Sequence, residues 1–260
     1  MRVPGLPENR SIHMASFTPP IALASLSGES DAPWALAATD LVGAAFIGGV
    51  ALDAPTRTAA RGAVSRGRDE FLPPDPIRFI EQQLADLEDA SLTPGVNVRA
   101  SDPAPIEEAA TVCADLGAIL EINAHCRQPE CTSRGCGQAL LQLPERLEAQ
   151  VSAAAEQGAS VSVKLRTEVA GVELPALGSR LVDAGASFLH VDAMDSRWVI
   201  EEIVDEVDTF VIANNNVRTR ADVREYLSYG ADAVSIGRAS TERAILKEVH
   251  NAIKELSPLQ

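Results

Sequence analysis

Ala118-Ile-Leu-Glu-Ile-Asn123, running straight into Ala124-His-Cys-Arg-Gln-Pro-Glu130, decides how the chain is read. A short aliphatic run ends on a polar side chain, opens into a loop carrying an imidazole and a thiol, and is followed by helix-like Pro144–Gln157. That order, buried strand then polar loop then helix, is one βα unit. Working outward, apolar runs of the same kind occur at Ile21–Leu26, Ala44–Val50, Gly95–Arg99, Ser160–Leu165, Ser187–Val191, Thr209–Asn214 and Ala233–Ile236. Helical patterns fall between them at Pro76–Asp89, Ala104–Leu116, Leu174–Ala184, Trp198–Val207, Ala221–Tyr229 and Glu242–Leu256. The first of these has a start signal, Asp75 as N-cap with Pro76 at the first helical position. Eight strand–helix pairs in 260 residues predict an α/β fold of the (β/α)8 TIM-barrel type. A doubly wound sheet uses the same alternation, and periodicity does not separate the two.

The length suits one large domain over residues 15–260. Residues 1–14, polar and aperiodic up to Met14, read as a disordered tail or a misassigned start. A formal net charge of −15 repels nucleic acid and anionic membranes unless positive charge is concentrated locally. Lys164, Lys247 and Lys254 are the only lysines among 22 basic residues, and this acidic, arginine-biased composition reads as a salt-adapted, halophilic cytoplasmic protein. No run of 18 apolar residues and no secretory signal pattern is present, so no membrane partner is expected. Cys113, Cys126, Cys131 and Cys136 in such a chain read as thiols.

Barrel chemistry sits where the strands end, so the polar residue closing each run matters. Strand 1 ends in Ser25-Leu26-Ser27, strand 3 carries Asn97, and strand 4 ends in Asn123 and the Cys126 loop. Strand 5 bears Lys164 and Arg166, strand 6 His190 and Asp192, strand 7 Asn214, Asn215 and Asn216, and strand 8 runs into Gly237-Arg238. Lys164 sits inside Val161-Ser-Val-Lys-Leu-Arg166, where a buried ammonium needs a partner or a ligand; a solvated strand end or a structural ion pair is the plainer account. His190 beside Asp192 favours a site over a satisfied core histidine. Glycine and arginine after the last strand, with asparagines after the seventh, match the usual phosphate site of barrels. Cys126 is read as a reactive thiol. The spacing Cys126-x4-Cys131-x4-Cys136 with His125 invites a metal reading, but structural zinc uses tighter pairs and a fourth ligand, so no metal is assigned. Arg57, Arg61, Arg66 and Arg68 follow strand 2, and Arg127 and Arg134 flank the cysteine. They suggest an anionic substrate, although a solvated, disordered loop also explains the strand-2 group.

At these residues the chain resembles the dihydrouridine synthase family of FMN-dependent TIM barrels, over roughly residues 21 to 240. Ile122-Asn-Ala-His-Cys126 through Gly137-Gln-Ala-Leu-Leu141 resembles its Asn-x-Gly-Cys-Pro loop and downstream Gly-x-Ala-Leu-Leu. Val163-Lys-Leu-Arg166, His190, Ala213-Asn214 and Gly230-Ala-Asp through Ile236-Gly-Arg238 resemble the strands and turns that follow, and Val96-Asn-Val-Arg-Ala-Ser-Asp-Pro103 the segment with a flavin-contacting glutamine, here Asn97. The resemblance implies FMN across the mouth, with Ser25, Leu26, Ser27, Asn97, Lys164 and His190 near its ring. It implies Asn214, Asn215, Gly237 and Arg238 at its phosphate. It implies hydride addition to a pyrimidine 5,6 double bond, as in uridine to dihydrouridine, with Cys126 as the acid and Asn123 holding the ring. NAD(P)H is the implied electron donor. A pyrimidine, possibly within tRNA, is the implied partner, Arg127, Arg134 and Arg166 are its candidate contacts, and a homo-oligomer is compatible with this reading.

The chain departs from the pattern at His125 and Arg127 around the cysteine, at Asn214-Asn-Asn216, and at Val191-Asp192, where the family usually has an arginine after the histidine. Only Ala239–Gln260 follow Gly237-Arg238, where full family members carry a helical tRNA-binding domain, so a short, archaeal-type form is expected. The alternatives are a dihydroorotate-dehydrogenase-like or free-pyrimidine flavin oxidoreductase, a non-catalytic barrel binding phosphate or flavin, and an FMN-free isomerase.

Overall fold

The structure is a computed structural model that describes residues 16–256; the tail expected at 1–14 lies outside them. Eight parallel strands close into a barrel in chain order. They are β1 (Ile21–Leu23), β2 (Ala44–Ala51), β3 (Thr93–Arg99), β4 (Ile119–Asn123), β5 (Ser160–Arg166), β6 (Phe188–Asp192), β7 (Phe210–Asn214) and β8 (Ala233–Ile236). The helices are α1 (Ala32–Leu36), α2 (Ala54–Ser65), α3 (Pro76–Ala85), α4 (Ala104–Asp115), α5 (Pro129–Thr132), α6 (Pro144–Glu156), α7 (Leu174–Asp183), α8 (Val199–Glu206), α9 (Arg220–Ser228) and α10 (Arg243–Leu256). The (β/α)8 expectation therefore holds, and the doubly wound alternative does not.

Two local readings change. The first strand stops at Leu23, because the buried Ser30 hydroxyl bonds the Leu26 N–H (2.8 Å), the Leu26 carbonyl (2.9 Å) and the Gly48 carbonyl (2.7 Å), folding residues 24–30 into a turn. The arginine segment after β2 is a helix rather than an open loop. Asp53 caps α2 by accepting from the Thr56 N–H (2.9 Å), Thr56 answers in a capping box, and a proline stands in the first turn. Asp31 and Asp75 start α1 and α3 in the same way. Asp53 also accepts from the Ser101 N–H and hydroxyl, tying the β2 and β3 loops together at the same end of the barrel.

Period-two alternation sorts the strand residues. Leu120 and Ile122 of β4, Val161, Val163 and Leu165 of β5, and Leu189 and Val191 of β6 point outward into one continuous apolar layer shared with the helices. Inside, the lower barrel is filled by Ala22, Ala44, Phe46, Ile119, Phe188, Phe210, Ile212 and Ala233, with Phe17 packed beneath. The Phe17, Phe188 and Phe210 rings meet at centroid separations of 5.3–6.4 Å. On β4, β6, β7 and β8 the next inward residues are polar: Glu121, His190, Asn214 and Ser235.

Candidate active site at the barrel mouth

Above the aromatic layer the barrel interior holds Asn97, Glu121, Ser162, Lys164, His190 and Ser235, each buried. Strand register brings them to one level, with Asn97 opposite Glu121, Glu121 opposite Ser162, and Lys164 between Asn123 and His190. Asn97, Ser162 and His190 converge on one carboxylate, that of Glu121. Asn97 Nδ2 donates to Glu121 Oε1 (2.7 Å), and Ser162 Oγ donates to Glu121 Oε2 (3.2 Å). His190 Nδ1 lies 2.5 Å from the same Oε2, and its Nε2 lies 2.7 Å from Ser235 Oγ, which also accepts from Asn214 Nδ2 (2.6 Å). Burial disfavours a charged imidazole here and lowers the His190 pKa, so its Nδ1–H donates to Glu121 while Nε2 accepts from Ser235. On the other side, Asn123 Nδ2 donates to Asn97 Oδ1 (2.8 Å), and Asn123 Oδ1 accepts from the backbone N–H groups of His125 (3.2 Å) and Cys126 (2.9 Å). One chain of hydrogen bonds thus runs from the Cys126 loop through Glu121 to Asn214. Burial opposes ionisation of Glu121, yet His190, Lys164 and Asn97 outweigh it and hold its pKa at about 2.

Lys164 differs from its neighbours. It is 4 % exposed, and its ammonium makes no hydrogen bond or ion pair with any described residue. It lines a cavity of about 220 Å³ together with Ser25, Leu26, His125, Asp192, Asn214, Asn215, Gly237 and Arg238. A buried cation without a protein partner marks space for an anionic or electron-rich ligand. At the other end of the cavity a side chain at Gly237 would meet nothing within 4 Å, so the backbone turn stands open to a ligand. Asn215 (φ +109°) and Asn216 (φ +51°) occupy the left-handed region that asparagine tolerates, and the Tyr226 hydroxyl pins the turn by donating to Asn215 O (2.9 Å).

The Cys126 loop is packed by thiols. Cys131 Sγ and Cys136 Sγ are 2.8 Å apart, and Gln138 N–H donates to Cys126 O (2.8 Å). Gly137 permits this fold, since its φ is +60° and a Cβ there would lie 2.3 Å from Cys126 O. The contact with Cys131 and burial push the Cys126 thiol well above its ordinary pKa, against the pull of Arg99. Cys126 is therefore a protonated thiol at neutral pH, suited to giving a proton rather than to nucleophilic attack. No metal-holding group of three ligands occurs among the described residues.

Of the residues singled out from sequence, Ser25, Leu26, Lys164, Asn214, Asn215, Gly237 and Arg238 line one cavity. Asn97 and His190 lie just beneath it, fully buried, with their polar atoms committed to the hydrogen-bonded chain. Asn123 holds the cysteine loop, and Ser27 is absent from the lining. Arg166 is buried at the end of β5 with its Nε unpartnered. Arg127 and Arg134 are exposed, and Arg66, just past the end of α2, reaches the same loop through Glu130 and Gln128. Glu121 is not among the site residues the sequence pattern singles out, nor is the pairing of His125 Nε2 with Asp192 Oδ2 at 2.5 Å. The signal for Glu121 was present, a carboxylate two residues before Asn123 and hence on the same inward face.

A family model described as dihydrouridine synthase matches residues 79–258. A protein of Methanocaldococcus jannaschii, called uncharacterized, is 30 % identical over 250 residues, covering 91 % of this chain and 93 % of that one. Among solved structures, tryptophan synthase of Pyrococcus furiosus aligns with a TM-score of 0.57 at 13 % identity, over 91 % of this chain and 96 % of that one. The FabK M276A mutant of Thermotoga maritima aligns at 0.56 and 14 % identity over 85 % of this chain, which spans 61 % of that protein's length. These two structural likenesses speak for the barrel alone.

Proposed function

We propose, because the chain belongs to the dihydrouridine synthase family, that it is an FMN-dependent oxidoreductase reducing the 5,6 double bond of a pyrimidine, uridine to dihydrouridine, with Cys126 as the proton donor. Flavin-dependent oxidoreductase chemistry comes with the family; the substrate, the donor and the residue roles are our reading. The observation that carries it is Lys164, a buried ammonium with no partner among the described residues, facing a mouth cavity whose far end is an open glycine turn with an arginine. Those residues fit FMN. Lys164 would face the electron-rich edge of its ring, and Asn214, Asn215, Gly237 and Arg238 would hold its phosphate. When bound, FMN supplies the hydride, with NAD(P)H as the electron source.

The remaining work falls to the chain itself. Asn123 fixes the Cys126 backbone, so the thiol is presented at a set position. The raised pKa keeps a proton on Cys126 Sγ until the pyrimidine carbon takes it, and water returns one afterwards. Glu121 offsets the Lys164 charge from below and locks the Asn97 and His190 side chains, while the Lys164 ammonium bonds no described residue and faces the cavity. Arg127 and Arg134, exposed beside the loop, and Arg166 would meet the substrate's phosphate or carbonyl groups.

The test is the visible spectrum of protein purified in high salt, with mass analysis of any released chromophore, followed by assay of reduced protein on uridine-containing RNA and on free pyrimidines. A yellow protein releasing FMN, whose Cys126→Ala variant keeps FMN and loses at least about 100-fold in turnover, is the expected result. A protein still colourless after incubation with FMN would sink the flavoenzyme reading.

A further inference from the structure

His125 and Asp192 form a pair outside the Glu121 chain. His125 leaves the β4 end two residues past Asn123, Asp192 closes β6, and they meet across the end of β5 at 2.5 Å between Nε2 and Oδ2. Both line the mouth cavity beside Lys164. Each partner is held in place. The His125 N–H is bonded to Asn123 Oδ1, and the second oxygen of Asp192 accepts from the Met194 N–H (3.3 Å). Asp192 stays ionised because bonds from His125 and Met194 outweigh its burial. An ionised carboxylate at Nε2 fixes the imidazole tautomer with the proton on that nitrogen. Nδ1 then carries a lone pair, and it bonds no described residue. Burial and Lys164 keep the imidazole neutral against Asp192. The cavity wall therefore combines a donor-only group, Lys164, with an acceptor of fixed orientation, Nδ1 of His125.

We propose that His125, oriented by Asp192, reads the N–H of an imide ring, a ring nitrogen flanked by carbonyls, held in the mouth cavity. This rests on the functional reading above. A ring whose carbonyl oxygen faces Lys164 and whose adjacent N–H faces Nδ1 satisfies both groups, whereas a ring with a lone pair or a methyl at that nitrogen leaves Nδ1 unpaired or clashing. Imide N–H groups occur both on the isoalloxazine of FMN and on uracil, and the same chemistry would recognise either.

Binding titrations in high salt separate the two, using FMN against N3-methyl-FMN on apoprotein, and uridine 5′-monophosphate against its N3-methyl derivative on flavin-loaded or apo protein. In the wild type, methylation should weaken binding about tenfold in one arm, the loss of one hydrogen bond. In His125→Ala that penalty should shrink to within about twofold. His125→Asn should keep most of it, because the asparagine Oδ1 falls where Nδ1 was; it also guards against an alanine variant that fails to fold. A penalty in the FMN arm assigns the group to the flavin edge, and one in the nucleotide arm assigns it to the substrate. An equal penalty in wild type and His125→Ala, or none in either arm, overturns the proposal. FMN binding with no His125-dependent penalty in either arm sinks this inference alone. Absence of FMN binding sinks the flavin reading, and the nucleotide arm still decides His125; absence of binding by every ring overturns both.

Discussion

The two halves of the barrel interior are built from the same inward positions of the same strands and are held by opposite means. On β6, Phe188 sits below and His190 above; on β4, Ile119 sits below and Glu121 above. The lower half is rings and methyl groups packed without direction, where each side chain contributes according to the area it removes from water. The upper half is a hydrogen-bonded sequence in which each group depends on the orientation of its neighbours, and Glu121 stands at its centre. Its contribution to net stability is small, because each bond replaces one to water, but an error in it is costly. The lower half keeps the barrel closed and the upper half keeps the mouth shaped.

Phe188→Ala should break the lower half with the largest effect. The buried ring contacts Phe17 and Phe210, and its loss should cost about 3–5 kcal/mol in denaturant unfolding. A cost under about 1 kcal/mol would show that the aromatic layer is not what holds the barrel. Ligand affinity of whatever remains folded should change little.

Glu121→Gln should act on the upper half with the opposite balance. The amide keeps the shape but turns one acceptor oxygen into a donor facing Asn97 or His190, a cost of about 1–3 kcal/mol. It also unsettles the Asn97 and His190 side chains beneath the cavity floor, so FMN affinity should fall more than stability does. Equal FMN binding by wild type and variant would erase the contrast between the halves.

Acid titration sharpens the same point. The folded pKa of Glu121, about 2, lies below its ordinary 4.5, so its ionisation contributes stability that is fully present above about pH 4.5 and is lost as pH falls toward 2. The stability gap between wild type and Glu121→Gln should therefore narrow over that window, measured as urea midpoints. A gap independent of pH would show that the carboxylate is not ionised in the fold.

The smallest effect is expected outside the barrel altogether. Arg66 joins α2 to the loop helix α5 through Glu130, but both side chains are solvated, so the urea midpoint of Arg66→Ala should fall at most slightly in low salt and match the wild type in high salt.

Much of this contrast is written in the local sequence. Alternation along each short run places Ile119, Glu121 and Asn123 on one face and Leu120 and Ile122 on the other, so the strands and their polar upper ends are readable from residue type and spacing. Lys164 stood out because a lysine inside a strand conflicts with burial, and the structure gives it a cavity. The α2 helix was hidden by its arginines, although Asp53, Pro55 and Thr56 spell a capped start. His190 was legible as a strand-6 polar residue, but not as a group with both nitrogens turned inward.

The count and order of βα units, the inward face of each strand and the polar inventory of the mouth are local properties of the chain, because backbone periodicity and turn chemistry act over a few residues. Which polar groups meet depends on the closed barrel. Barrel closure and strand stagger set Glu121 against Asn97 and His190, His125 against Asp192, and left Lys164 without a partner among the described residues. Those pairings join residues 24 to 69 positions apart, and no local rule carries information across that distance.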